Sequence, residues 1–236
     1  MTLLLDRDLE RGDSVAIVDD RDQDAATTAE LLLDAGFLPV RVPLADDLTE
    51  LLLGLKSTAS AAVCDHRLSQ YKSVPYDGAE VAARCQEMGM PSVLLTTWAN
   101  SDVPASIRRW RHDIPRVLQR GLGSSPELIT EALRISQKET RGHYSSDRQS
   151  YRTVVRVTRV DKGQDSLVEA IVTAWRPTEA VQLPASLISN DTGLSAKSLA
   201  GRRFLADVNI YAGDQADLYF RNFAVLEEPP DDWMTA

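Results

Sequence analysis

The chain reads as an α/β protein: a doubly wound five-stranded parallel sheet followed by a small all-β unit, a barrel or a sandwich. Three observations predict this. From Ser14 to about Arg141, short apolar runs alternate with helical periods through five cycles. After Ser150 the pattern changes to that of half-exposed strands, with Thr153, Val155 and Val157 alternating against Val154, Arg156 and Thr158. Between the two, residues 142–150 carry Gly, Ser, His, Tyr and charge with no apolar period, the composition of a linker. The expected organisation is therefore a domain over 1–141, a linker over 142–150 and a second domain over 151–236. With 236 residues and 43% hydrophobic content, the chain is long enough for both cores.

Each element has its own signal. The first strand, Val15-Ala16-Ile17-Val18, ends at Asp19-Asp20, and a helix follows from Ala25 to Ala35 with Gly36 as its stop. The second strand is Leu38 to Val42, followed by a leucine-rich helix from Asp46 to Leu55. The third, Ala61 to Cys64, ends at Asp65, and a polar loop leads to a helix opening at Asp77-Gly78 and running to Met88. The fourth, Ser92 to Leu95, ends at Thr96-Thr97 before a short helix from Pro104 to Arg111. The fifth, Arg116 to Gln119, turns at Gly121-Leu122-Gly123, and Ser124-Ser125-Pro126-Glu127 supplies a cap, a proline and an acid for a last helix toward Gln137. In the second domain Tyr151–Val160, Leu167–Trp175, Phe204–Tyr211 and Leu218–Leu226 read as strands, the last two as a hairpin about Gly213-Asp214. The acidic, proline-containing tail from Glu227 to Ala236 reads as frayed.

Charge and motifs remove several function classes. A net charge of −9 speaks against a nucleic-acid partner, and the nine basic against twelve acidic residues from Tyr151 onward say the same of the second domain. No apolar stretch is long enough for a membrane span, and the N-terminus lacks an export signal. Cys64 and Cys85 are too few for a disulfide framework and read as buried thiols, so a cytoplasmic setting is expected. His66, His112 and His143 are too scattered for zinc, and no Gly-x-Ser-x-Gly elbow, Walker loop or Cys/His cluster marks an enzyme. Gly121-x-Gly123 without a following Lys-Ser/Thr reads as a turn.

The informative residues stand just after the apolar runs, because an open parallel sheet binds ligands beyond the carboxyl ends of its strands. They are Asp19, Asp20, Asp65, Thr96 and Arg120. Asp19-Asp20 alone would read as acids favouring a helix N-terminus. With Asp65 converging on the same edge, the three would repel one another unless a hard cation such as magnesium held them. A carboxylate, a hydroxyl and a cation around that metal can accept a phosphoryl group and stabilise its charge.

Val18-Asp19-Asp20, Val63-Cys64-Asp65-His66-Arg67-Leu68 with Asp77-Gly78, Pro91 to Thr96, and Val117-Leu118-Gln119-Arg120 together resemble the receiver domain of two-component response regulators, over Ser14 to Gln137. The resemblance implies a flavodoxin-like sheet, a non-enzymatic signalling module and a phosphoprotein. It makes Asp65 the phosphoacceptor and Thr96 the switch hydroxyl. Asp19, Asp20, Asp65 and the backbone carbonyl of Arg67 would be the Mg2+ ligands. It implies a histidine kinase or phosphotransfer protein as donor, and output through protein–protein contact on the fourth helix, fifth strand and fifth helix or on the β domain, with a homodimer as one form of that contact.

Three features depart from the family pattern. Arg120-Gly121 replaces a lysine and proline, Leu118 stands where an aromatic switch residue is usual, and the loop 66–76 is long. The second reading is accordingly a pseudo-receiver, a constitutive scaffold without phosphorylation; a non-helical DNA-binding output is the third. Arg108, Arg109, Trp110 and Arg111 read as a solvated face or as an interface anchor. Trp175 and Tyr219-Phe220 read as core or anchor residues. Arg152, Arg156 and Arg159 do not share one face of an ideal strand.

Overall fold

The computed structural model describes residues 7–68, 74–97, 106–121, 125–161 and 166–227. They form two compact units. Of the described residues, the first contains those within 7–97 and Trp110–Tyr144, and the second contains 106–109 and those within 145–227.

The first unit is the doubly wound sheet. Strands β1 (Ser14–Val18), β2 (Leu38–Arg41), β3 (Ala61–Asp65), β4 (Ser92–Thr96) and β5 (Val117–Gln119) lie parallel in the order β2-β1-β3-β4-β5. The three central strands are almost continuously buried and the two edge strands are not. This is why the former read as unbroken apolar runs. Helices α1 (Asp22–Asp34), α2 (Leu48–Thr58) and α3 (Gly78–Glu87) follow the first three strands, and α5 (Pro126–Thr140) follows the fifth. Asp47 caps α2 by accepting from the Thr49 and Glu50 amides, and Asp77 caps α3 by accepting from Glu80. Ser125 caps α5, with Pro126 opening the helix. Val15, Ile17, Val63, Val93 and Leu95 pack with Leu32 of α1 and Ile129 and Leu133 of α5 into one core layer. Cys64 and Cys85 are buried free thiols; burial pushes Cys64 up, and Cys85 up to about 12.

The segment after β4 differs from its sequence reading. Its described part is the short helix α4 (Arg108–Trp110) with a 3-10 turn over Arg111–Asp113, and residues 106–109 group with the second unit. Arg108 and Arg111 are buried, so they are neither a solvated face nor an exposed anchor. Arg108 donates to the Gln215 carbonyl at 2.8 Å and lies over the Phe220 ring, while Arg111 donates to the Ile114 carbonyl. Trp110 is half-buried, with the Arg84 guanidinium 5.0 Å from its ring centroid. Carbonyl acceptors and ring faces can satisfy a guanidinium in the interior, which composition cannot announce.

The second unit is a single antiparallel sheet in the order β10-β9-β6-β7-β8, made of β6 (Tyr151–Val160), β7 (Leu167–Val172), β8 (Ala180–Pro184), β9 (Arg203–Val208) and β10 (Phe220–Val225). Its core face carries Val155, Val157, Val168, Ala170, Phe204 and Val208, and α6 (Ala185–Thr192) adds Ala185 and Ile188 to that core. The layer against the sheet is thus a helix, and β8 and β10 stand at opposite edges instead of closing a barrel. In the stretch read as a linker, Ser146–Arg148 is a 3-10 turn whose Arg148 is buried, with its guanidinium over the Tyr219 ring. Tyr219 and Phe220 are core residues, and the Tyr219 hydroxyl donates to the Arg148 carbonyl. Trp175 packs against the core and donates to the Ala212 carbonyl. The tail from residue 228, the loop residues 69–73 and the stretch 122–124 that includes Gly123 lie outside the described residues.

Candidate functional site

The order β2-β1-β3 means that the chain leaves β1 in one direction and returns on its other side at β3, opening a crevice at the carboxyl ends of these strands. Asp19 follows β1 and Asp65 ends β3, so parallel pairing of Val18 with Cys64 brings the two carboxylates together. Asp20 joins them: one carboxylate oxygen from each of Asp19, Asp20 and Asp65 lies within 4.8 Å of the others. Thr96, at the end of the neighbouring β4, is buried, and it lines an open cleft with Arg21, Asp24, Asp65, His66, Arg67 and Thr97.

Arg120, one residue beyond β5, is held in place from both its backbone and its side chain. Its amide donates to the Thr96 carbonyl at 2.9 Å. Its Nη2 donates to Asp65 Oδ1 at 2.7 Å and to Asp19 Oδ2 at 2.8 Å, while its Nη1 donates to the Asp24 carbonyl and the Thr28 hydroxyl, each at 3.2 Å. A planar fork can span two carboxylates and a helix turn in this way, which a lysine ammonium cannot. Burial works against its charge, but Asp65, then Asp19 and Asp24, outweigh it and raise the Arg120 pKa. Asp19 is raised chiefly by its own burial, opposed by the Arg21 amide, with the nearby Asp65 charge adding to the rise and Arg120 reducing it.

The exit of β3 is fixed by backbone. The Arg67 amide donates to Asp65 Oδ2 at 3.0 Å, the Gly78 amide donates to the His66 carbonyl at 2.8 Å, and the His66 amide donates to the Leu95 carbonyl at 2.9 Å. A Cβ on Gly78 would stand 1.6 Å from the Asp65 carbonyl oxygen, so only glycine lets α3 start against the end of β3.

All the sequence-identified residues, Asp19, Asp20, Asp65, Arg67, Thr96 and Arg120, thus stand around one crevice. The donor set fits magnesium, since three carboxylates offer hard oxygens with the cleft open to water. Sequence reasoning missed Asp24 and Thr28, the Arg120 partners on α1. Their only signal is a helical i, i+4 spacing, on which the Thr28 hydroxyl also donates to the Asp24 carbonyl.

No family model and no curated protein matches the chain. Among solved structures it is similar to the signal receiver domain of a modulated diguanylate cyclase from Desulfovibrio desulfuricans, with 19% identity and a TM-score of 0.44 over 55% of this chain and 97% of that one. A response regulator receiver domain protein from Clostridium thermocellum gives 13% and 0.41 over 55% and 97%. The receiver domain of a Francisella response regulator gives 17% and 0.40 over 55% and 99%.

Proposed function

We propose that the first unit is a phosphoryl-accepting signalling module in which Asp65 takes the group from a histidine kinase or phosphotransfer protein. The observation that carries this is the convergence of Asp19, Asp20 and Asp65 at the crevice between β1 and β3, beside an open cleft and a charged Arg120. An Asp65 carboxylate oxygen attacks the phosphorus, forming an acyl phosphate as the donor's N–P bond breaks, and the departing imidazole keeps the electron pair of that bond. Asp19, Asp20 and the Arg67 carbonyl, with Asp65, would hold Mg2+, which would neutralise the charge that spreads over the phosphoryl oxygens. Arg120 remains charged and Thr96 supplies a hydroxyl from the end of the neighbouring β4. The second unit then delivers the output by protein contact.

A pseudo-receiver is the second reading, and one observation favours it. The Arg120 guanidinium already bridges Asp19 and Asp65, so the carboxylates have a cation of their own. Intact-mass analysis after incubation with acetyl phosphate, with and without Mg2+, separates the two. The proposal expects an Mg2+-dependent adduct of about 80 Da, one phosphoryl group, that is absent from Asp65→Asn. Absence of the adduct where a control receiver is labelled gives the chain to the second reading.

A further inference from the structure

The sheet of the second unit buries one face under α6 and leaves the other in water. The open face is basic. Arg152 and Arg156 of β6 and Arg203 of β9 project from it, and Arg221 of β10 joins them opposite Asp207. Arg159 belongs to this face as well. A register shift in β6 between Val157 and Arg159 absorbs one residue, so Arg159 pairs with outward Glu169 while Val160 packs against the core. Ideal alternation placed Arg159 on the other side, and the bulge corrects that reading.

The acids near this face are already engaged. Asp207 takes Arg152 and the Asn222 amide group, and Glu169 and Asp161 take Arg159. Arg156 and Arg203 are direct register partners, both exposed, and neither makes an ion pair or a side-chain hydrogen bond among the described residues. The same holds for Arg221. Like charges directly opposite on a sheet are destabilising, and in a chain of net charge −9 their gathering here is against composition. Between the arginines run the half-buried aliphatic side chains of Val154, Leu205 and Ile171.

We propose that this face docks a protein segment in which carboxylates alternate with aliphatic side chains. Guanidinium forks match carboxylates, and the aliphatic strip matches the residues between them. The outward positions of β6, β7 and β9 carry no aromatic ring on which a base would stack. The inference is independent of whether Asp65 is phosphorylated.

The test is an amide-shift titration of the whole chain with a short synthetic peptide of repeated Glu-Leu-Glu-Ala units. A peptide with Gln in place of Glu and a single-stranded oligonucleotide of equal charge run alongside. The expected result is saturable shifts confined to β6, β7, β9 and β10, weakened by salt, absent with the Gln peptide and weaker by about tenfold in Arg156→Gln/Arg203→Gln. That double variant should melt at or above the wild-type temperature. Shifts elsewhere, no shifts, an affinity unchanged by the double variant, or tighter oligonucleotide binding on the same face would each overturn the proposal. So would a lowered melting temperature, which would give the arginine pair a structural role.

Discussion

The molecule handles charge in two opposite ways. In the crevice of the first unit, three carboxylates and one guanidinium lie together, and Asp19, Asp65 and Arg120 satisfy one another in a partly dry site. On the open sheet of the second unit, Arg156 and Arg203 face each other in water with no acid between them. Low dielectric makes an unbalanced charge expensive, so the crevice carries its own counter-ion; water tolerates the imbalance on the sheet at small cost. A site that answers three carboxylates with one guanidinium stays net negative and keeps room for a further cation. An unneutralised face offers its charge directly.

The sharpest way to break that contrast is to remove the internal cation. Arg120→Ala leaves Asp19 and Asp65 uncompensated and should cost about 3–5 kcal/mol in urea unfolding without divalent ions. Mg2+ at a hundred times its dissociation constant from the variant should return about 2.7 kcal/mol of that, and the same concentration should add less to wild type, whose carboxylates Arg120 already engages. An equal Mg2+ effect on both proteins would show that the arginine and the metal do not share the carboxylates.

Next in size is Gly78→Ala, expected to lose about 3 kcal/mol by the same measurement, because the Asp65 carbonyl or α3 must move to admit the methyl group. Near-wild-type stability would mean that the end of β3 is softer than its contacts suggest.

A smaller effect concerns pH. Since the native Asp19 pKa is raised, the folded state holds that proton more tightly than the unfolded chain does. Its contribution is therefore most favourable below the unfolded value of about 3.9 and is lost as pH rises through the native one. Stability of Asp19→Asn relative to wild type should accordingly improve from about pH 4 toward neutrality. A trend in the other direction would show that attraction to Arg120 outweighs burial.

Smallest of all, Arg156→Gln/Arg203→Gln should gain a few tenths of a kcal/mol, about the worth of relieving one like-charged cross-strand pair. Thermal melts at low and high salt check it, and the gain should shrink as salt screens the pair.

What the sequence made legible follows from the same physics. Strands β1, β3 and β4 are buried on both faces, so they announce themselves as apolar runs, and the residues that end them, Asp19, Asp65 and Thr96, were exposed to inspection by that fact alone. Strand β8 and helix α6 did not stand out. Val181-Gln182-Leu183-Pro184 is a short alternating edge, and Ala185–Thr192 is rich in Ser, Asn, Asp and Thr, which are weak helix formers. Arg108 and Arg111 misled because arginine is seldom buried, and their acceptors are carbonyls that no composition reveals. Arg159 misled because a bulge of one residue inverts every later side chain on its strand. The partners of Arg120 on α1 were hidden because they meet it only after the whole sheet has formed.

Phosphoryl acceptance at Asp65 can be read directly by chemical trapping. After incubation with acetyl phosphate and Mg2+, borohydride reduction of an acyl phosphate leaves homoserine in place of the aspartate, which peptide mass analysis reads residue by residue. Homoserine is expected at Asp65 alone, and none when Mg2+ is withheld. Homoserine at Asp19 or Asp20, or its absence throughout while a control receiver is trapped, would contradict it.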